Sequence, residues 1–266
     1  MPTDQLPWLV LGIFTIAFLY SSVGHAGASG YIAVMMLFGL APSFIKPTAL
    51  VLNILVATIG AWQFRRAGHF RWELFWPFAL VSIPLASLGG YITLPTQAFM
   101  ILIGVVLLCS AARFLFDPRE PVETQPPARS TALAVGGGLG LLAGLTGTGG
   151  GIFLTPLVIF MKWAPTKTAS AVSAMFILVN SIAGLTGHII KTREAPTFAL
   201  PLVVAALIGG TAGSYLGSNR FSTVAIKRLL AAVLLIAGLK LIGLELPLQR
   251  EENPTPHATP NASIPT

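Results

Sequence analysis

Residues Gly144–Pro156, with the sequence GLTGTGGGIFLTP, interrupt an apolar and uncharged part of the chain. Glycine occupies positions 147, 149, 150 and 151 of this stretch. Because glycine is about 1 kcal/mol less favourable than alanine inside a helix, the stretch predicts a helix break. Irregular backbone at membrane depth is tolerated only where it is buried in protein or lines a wet cavity.

The composition around this stretch is that of a membrane protein. Of the 266 residues, 54% are hydrophobic and 9% are charged, whereas a soluble domain has about 25% charged residues. Several charge-free runs reach the roughly 20 residues that a spanning helix needs. We therefore predict an all-α polytopic protein in a lipid bilayer. The net charge of +7 is typical of basic membrane loops and does not indicate nucleic acid.

The two halves of the chain resemble each other. Gly24–Pro42 (GHAGASGYIAVMMLFGLAP) and Gly147–Pro165 (GTGGGIFLTPLVIFMKWAP) have the same length, glycine at the first and fourth positions, and a final Ala-Pro. Two more pairs follow in the same order: Asn53–Gly60 with Asn180–Gly187, and Leu88–Ile92 with Ala212–Leu216. This order predicts an internal duplication, which is common in transporters.

The predicted division of the chain follows from this duplication. Residues 1–116 form a first transmembrane repeat and residues 131–246 a second one. Residues 117–130, with the sequence DPREPVETQPPARS, are rich in proline and charge and predict a cytoplasmic linker. Residues 247–266 predict a disordered tail.

Each half contains five hydrophobic segments. The predicted segments are Leu6–Val23, Gly30–Leu40, Pro47–Phe64, Leu74–Ile92 and Thr96–Phe116, then Thr131–Thr146, Gly150–Met161, Thr168–Ile190, Phe198–Gly217 and Ser222–Leu244. Gly30–Leu40 would give only about 16 Å of helix against a hydrocarbon core of about 30 Å. Gly30–Leu40 and its counterpart Gly150–Met161 are therefore predicted to be broken or re-entrant, which leaves a total of eight to ten spans.

An odd number of segments per half predicts an inverted repeat. If loops after odd-numbered segments share one face, that face has 11 of the 16 basic residues and the other face has Lys46, Lys191, Arg193, Lys240 and Arg250. The richer face is predicted to be cytoplasmic, with both termini outside.

The glycine turns predict an anion site. A turn that leads into a helix presents unpaired amide N–H groups at the positive end of the helix dipole. The candidate substrate-binding residues are Gly24, His25, Ala26, Gly27, Ser29, Asn53, Gly147, Thr148, Gly149, Gly150, Gly151 and Asn180. Glycines 136, 137, 138, 140 and 144 are instead assigned to close helix packing.

Three polar candidates have open roles. His25 would donate to the substrate, carry a coupling proton or bridge two helices as a neutral residue. Asn53 and Asn180 would contact the substrate or tie the broken helix ends. No Asp or Glu lies in the middle of a predicted span, which favours a negative substrate. We expect no Lys or Arg, metal or cofactor at the site, so the amide dipoles would neutralise the anion.

The second-half motif resembles a known family. Gly147–Pro156, GTGGGIFLTP, is similar to the Gly-x-Gly-Gly-Gly-x-x-x-x-Pro element of the TauE/SafE sulfite exporters. The first half departs from it at His25, Ala26, Ala28 and Ala33. The resemblance implies a bacterial inner-membrane protein that exports sulfite or a small organosulfonate such as sulfoacetate and has no enzymatic activity.

We therefore predict a secondary transporter that works by alternating access, with protons as a candidate coupling partner and a homodimer left open. An anion channel is one alternative. The other is an intramembrane serine protease, because Gly27–Gly30 (GASG) resembles the Gly-x-Ser-Gly element of rhomboid proteases. In that case Ser29 would be the nucleophile and His188 the base.

Overall fold

The computed structural model describes residues 5–92, 108, 111–112, 115, 123–193 and 200–243. Over these residues the chain is helical, and a turn of π-helix, Leu216–Arg220, follows α8. The helices are α1 (Leu6–Ser22), α2 (Ala28–Leu37), α3 (Pro42–Arg66), α4 (Trp72–Tyr91), α5 (Arg129–Thr146), α6 (Gly151–Phe160), α7 (Thr166–Thr192), α8 (Leu200–Tyr215) and α9 (Thr223–Gly243).

Four stretches within these helices are long and apolar enough to cross a bilayer. They are Ser43–Arg66, Trp72–Tyr91, Thr166–Thr192 and Leu200–Arg220, with 24, 20, 27 and 21 residues. The chain is therefore an all-α polytopic membrane protein, as its composition predicts. The predicted segment Thr96–Phe116 lies mostly outside the described residues, so the number of spans, eight or ten, stays a prediction.

The two predicted short segments are short helices of equal length. α2 and α6 have 10 residues each. Each begins after a left-handed glycine, Gly27 with φ 105° and Gly150 with φ 76°. The first glycine of each turn, Gly24 or Gly147, also has positive φ, and glycine adopts this conformation without a steric cost. The third position differs, because Gly149 has positive φ and its counterpart Ala26 does not.

The third helix begins earlier than the predicted segment Pro47–Phe64. α3 starts at Pro42, since proline is well suited to the first turn of a helix, where its missing N–H group needs no partner. The helix then continues through Lys46 and Pro47. Lys46 is therefore part of a helix and not of a loop.

Each half contributes helices that pack against the other half. α1 packs on α8, and α5 packs on α4. A Cβ atom added at glycines four residues apart would meet the backbone of the partner helix: Gly209, Gly213 and Gly217 face Phe14, Phe18 and Ser22, and Gly136, Gly140 and Gly144 face Phe78, Ser82 and Ala86. Both helix pairs run parallel, because the paired numbers rise together.

The packing glycines of α5 are largely confirmed. Gly136, Gly140 and Gly144 contact α4 closely, and Gly137 faces side chains of α4. The described residues do not bear out the prediction for Gly138, since none of their heavy atoms lies within 4 Å of a Cβ atom added there.

The helices that carry the matched asparagines run antiparallel. The Asn53 side chain of α3 donates to the Ser181 hydroxyl of α7. Farther along α3, a Cβ atom added at Gly60 would lie 3.9 Å from that of Ala174 in α7. The numbers rise in one helix as they fall in the other, which is the direction that an inverted repeat requires.

The short helices lie inside two hydrophobic clusters. α6 contributes Leu154 and Val158 to one cluster, with Phe176 of α7. α2 contributes Tyr31 and Met35 to the other cluster. Both glycine turns are therefore buried in protein and do not face lipid.

Candidate functional site

Asn53 connects the two glycine turns. Its Oδ1 accepts a hydrogen bond of 3.0 Å from the amide of Ala28, the first residue of α2. Its Nδ2 donates to the Thr148 carbonyl and to the Ser181 hydroxyl, both at 3.2 Å. The Gly27 N-cap has no side chain that could cap α2, and Asn53 supplies the missing oxygen from α3. Of its two predicted roles, this asparagine performs the tie between broken helix ends.

Asn180 has different contacts from its counterpart. Its Nδ2 donates to the Phe176 carbonyl one turn earlier in α7. Its Oδ1 is buried, and no donor to it is present among the residues that the structure describes. A buried acceptor without a partner is costly. Asn180 therefore does not tie a helix end in this conformation, and its oxygen stays available as an acceptor.

His25 joins the first turn to the second short helix. Its Nε2 lies 2.8 Å from the Thr155 hydroxyl of α6, and both side chains are buried. No partner of its Nδ1 is present in the described part of the chain. The ring of Tyr20 lies beside it, with 6.4 Å between the ring centroids. A neutral imidazole in this position bridges the two halves and keeps one nitrogen without a hydrogen bond to any described residue.

The remaining candidates lie around these two bridges. The Ser29 hydroxyl donates to the Tyr20 hydroxyl at 3.1 Å. The Tyr31 hydroxyl donates to the Ala26 carbonyl at 2.6 Å. The Thr148 hydroxyl shares a hydrogen bond of 2.8 Å with Thr146. The structure thus places these predicted residues in one continuous polar region.

The glycines of the second turn lie against α7 and α3. A Cβ atom added at Gly149 would lie 2.6 Å from the Ser181 Oγ and 2.9 Å from the Asn53 Nδ2. At Gly150 it would lie 2.9 Å from a ring carbon of Phe176, and at Gly151 it would clash with Ile177. These three positions leave no room for a side chain, and Gly149 and Gly150 also have positive φ.

Sequence reasoning missed two serines of α7. Ser170 lies against Gly24, and the Ser173 carbonyl lies 3.3 Å from the Cβ position of Gly151. Both hydroxyls are buried, and neither has a hydrogen-bond partner within the described ranges. Their spacing on one helical face was visible in the sequence, but only the packing of α7 beside both turns gives them meaning.

The expectation that no Lys or Arg reaches the site is wrong. The Lys46 side chain lies along Gly147, with its Cγ 3.2 Å and its Cε 3.5 Å from the Cβ position of that glycine. Its Nζ donates to the Leu145 carbonyl at 3.4 Å. Because α3 begins five residues before the predicted segment, Lys46 lies on the helix beside the turn. The sequence did contain one signal for this position, because Lys46 is a lone charge between two long apolar runs.

This arrangement is suited to a small anion. It offers amide groups of two helix starts, neutral hydroxyls, a histidine and one ammonium group, and none of the described residues that surround it is a carboxylate. Anions are stabilised at helix N-termini. His25, Asn53, Thr155 and Asn180 are buried, so these polar side chains are closed to solvent in this conformation.

The chain matches one protein family over most of its length. Residues 9–241 match the family described as "Sulfite exporter TauE/SafE". This range includes both glycine turns, both short helices and both asparagines. No solved structure matches the chain.

Several named relatives are similar to the chain. The "Probable membrane transporter protein y4hK" of Sinorhizobium fredii is 38% identical over 239 residues, which are 88% of this chain and 97% of the relative. The "Probable membrane transporter protein YunE" of Bacillus subtilis is 32% identical over 62% of this chain and 68% of the relative. YjnA of the same organism, also named a probable membrane transporter protein, is 25% identical over 88% and 98%.

These matches remove the protease alternative, because the family and its named relatives are transporters and not enzymes. The match over residues 9–241 and the similarity to y4hK show that this chain belongs to the TauE/SafE family of membrane transporters.

Proposed function

We propose that this chain is a secondary transporter that exports a small sulfur oxyanion or organosulfonate, such as sulfite or sulfoacetate, across the bacterial inner membrane. The anion binds between the Gly24–Gly27 turn and the Gly147–Gly151 turn. The two halves are inverted repeats, and they rock around the bound anion in alternating access. The family description supports the substrate class.

One observation carries the proposal: Asn53 holds the start of α2 and the second glycine turn within hydrogen-bond distance of one side chain. Two helix starts therefore converge on one buried region, as in transporters whose broken helices form the substrate site. The antiparallel packing of α3 and α7 supports the inverted relation of the halves. The excess of basic residues on one predicted face supports termini on the outside.

The driving force follows from the charge of the substrate. An inside-negative membrane potential favours anion exit by about 2.3 kcal/mol per charge per 100 mV. Protons are a second candidate, because His25 titrates in the physiological range in its unperturbed state and lies in the bridge between the halves. The two driving forces differ in their response to a pH gradient.

The experiment is flux in proteoliposomes with purified protein. Sulfite, sulfoacetate, taurine, thiosulfate and sulfate are tested separately, each at two pH values and with an imposed membrane potential. We expect saturable transport of one or more sulfur anions and no transport of zwitterionic taurine. Absence of flux for every anion in correctly inserted protein would contradict the proposal.

Counterflow distinguishes a carrier from a channel. Unlabelled substrate inside the liposomes accelerates entry of labelled substrate through an alternating-access carrier, because the loaded site returns faster than the empty one. A channel shows no such acceleration. Saturation without counterflow would favour the channel alternative.

A further inference from the structure

We propose that Lys46 supplies the positive charge that attracts the anion to the Gly147–Gly151 turn, and that it lies at the mouth of the anion path. This inference rests on the proposed function and names a binding residue for the same site.

The position of Lys46 is the first reason. Its methylene groups lie over Gly147, and its Nζ reaches the end of α5 at Leu145. The ammonium group therefore lies at the edge of the turn whose amides start α6. A charged donor and a helix start acting on one anion is a common combination in anion sites.

The second reason is that the ammonium group has spare donors. A lysine ammonium has three N–H donors, and one hydrogen bond of 3.4 Å to Leu145 is its only bond to a described residue. Among the described residues, no carboxylate pairs with it. A bound anion would use the remaining donors.

The third reason is accessibility. Asn53, His25 and Thr155 are buried, whereas Lys46 and Thr148 are only half-buried. The polar region therefore approaches the surface on the side of Lys46. The distribution of basic residues predicts that this side faces the outside of the cell, which makes Lys46 an exit-side residue for an exported anion.

The charge belongs to one half only. Lys46 stands seven residues before Asn53, and Ser173 stands seven residues before Asn180. Ser173 approaches the second turn through its carbonyl, and the nearby Ser170 lies against Gly24. At the position of α7 that matches Lys46, the second turn thus meets a neutral serine and not a second ammonium group.

A purely structural role for Lys46 is the competing explanation. A lysine near the C-terminus of a helix interacts favourably with its last carbonyls, and Lys46 does this for α5. Lys167 is a matched control, because it is also half-buried and its Nζ donates to the Ser218 carbonyl at 3.3 Å, within the π-helical turn. Lys167 does not contact a glycine turn in the described structure.

The experiment compares Lys46→Gln, Lys46→Arg and Lys167→Gln with the wild type in liposomes, using whichever sulfur anion the wild type transports. We expect Lys46→Gln to raise KM about tenfold through loss of a charge-assisted hydrogen bond. Lys46→Arg should keep most of the affinity because it keeps the charge, and Lys167→Gln should leave KM unchanged. Wild-type KM should rise with ionic strength, and this rise should be weaker in Lys46→Gln.

The outcomes separate the two proposals. A wild type without anion flux contradicts the proposed function and this inference together. If the wild type transports the anion and Lys46→Gln has the same KM, only the inference is contradicted. The same holds if Lys46→Gln lowers thermal stability and leaves KM unchanged. If Lys46→Gln does not insert into the membrane, the test is the dependence of the wild-type KM on ionic strength. A wild-type KM that does not change with ionic strength overturns the inference.

Discussion

The two glycine turns share left-handed glycines at their first and fourth positions, but they differ at the third position, where Gly149 has positive φ and Ala26 does not, and in what closes them. Gly24 and Gly27 match Gly147 and Gly150 in left-handed φ, and each turn leads into a helix of 10 residues. At the first turn, Asn53 caps the amide of Ala28. At the second turn, the matching Asn180 bonds to its own helix.

This difference teaches that the two predicted repeats keep the ends of the turn while its middle and its side chains differ. The first turn is tied by a side-chain cap from α3. The second turn has extra glycines and a nearby ammonium group. We therefore expect the second turn to provide most of the anion-binding energy and the first turn to provide most of the mechanical coupling.

The largest expected effect comes from a side chain in the second turn. Gly149→Val should reduce flux more than tenfold, because it combines left-handed backbone strain with overpacking against Ser181 and Asn53. Its counterpart in the first turn is Ala26, which already has a Cβ atom, so Ala26→Gly should keep flux near the wild-type level. Substrate counterflow in liposomes measures both.

The control for Gly149→Val is Gly138→Val, at a helical position where no atom of the described residues lies within 4 Å of an added Cβ atom. It should insert and transport normally. Equal transport by Gly149→Val and Gly138→Val would refute the assignment of the second turn to the site.

A comparison of variants at Asn53 and Asn180 tests whether the hydrogen bonds of Asn53 hold the two glycine turns together. Asn53→Ala removes three hydrogen bonds that connect α2, the second turn and α7, and should lower stability by about 2 kcal/mol. Asn180→Ala removes one bond within α7 and an oxygen without a described partner, so its loss should stay below about 1 kcal/mol. The midpoint of thermal unfolding in detergent measures the difference, and equal midpoints would argue against a tie specific to the first half.

His25 and Thr148 occupy matching positions in the two turns, so a proton role would belong to the first half alone. His25→Gln keeps a polar group that can reach Thr155 but cannot carry a proton at physiological pH. We expect it to remove any stimulation of flux by a pH gradient, a change of a few fold, while potential-driven flux remains.

Thr155→Val is the matched variant, because it removes the partner of His25 and leaves the imidazole in place. It should retain the response to the pH gradient. A full pH response in His25→Gln would exclude this residue from proton coupling.

The smallest expected effect concerns the pH dependence of stability at the end of α8. This helix continues into a π-helical turn, whereas its counterpart α4 ends at Tyr91. The Ser218 carbonyl of this turn contacts His69 Nε2 at 3.2 Å and Lys167 Nζ at 3.3 Å. Burial and the charge of Lys167 lower the pKa of His69 below its usual 6.5, with the Ser218 hydrogen bond acting in the opposite direction.

The folded protein therefore binds this proton less readily than the unfolded chain does. Neutral His69 contributes stability that is present above pH 6.5 and is lost as the pH falls toward its lower folded pKa. Thermal unfolding of the wild type should thus be slightly more acid-sensitive than that of His69→Gln as the pH falls below 6.5. Identical pH profiles would show that His69 does not titrate against this contact.

Much of the fold could be predicted from local properties. Charge-free runs of sufficient length identified the spanning helices, and the paired glycines identified the short helices α2 and α6. Their bounds were less certain, as α3 shows: Pro47 suggested a helix start, but Pro42 provides one five residues earlier. The part of α3 that the sequence did not predict, its first five residues, contains Lys46.

The site was predicted in composition but not in connectivity. The sequence placed Asn53 and Asn180 as equivalents, and their contacts differ. The partners of Asn53 and His25 in the other half, Thr148, Ser181 and Thr155, lie 95 to 130 residues away in sequence, and no local pattern encodes contacts at that separation.

The amino-acid sequence alone determined that this is a helical membrane protein with two glycine turns, because hydrophobic run length and glycine flexibility are properties of short segments; the duplication stays a prediction. Tertiary structure decided which asparagine caps a helix, which hydroxyls face the turns and that Lys46 reaches one of them. Those features depend on how α3 and α7 pack against each other, and packing brings together groups that the chain order keeps far apart.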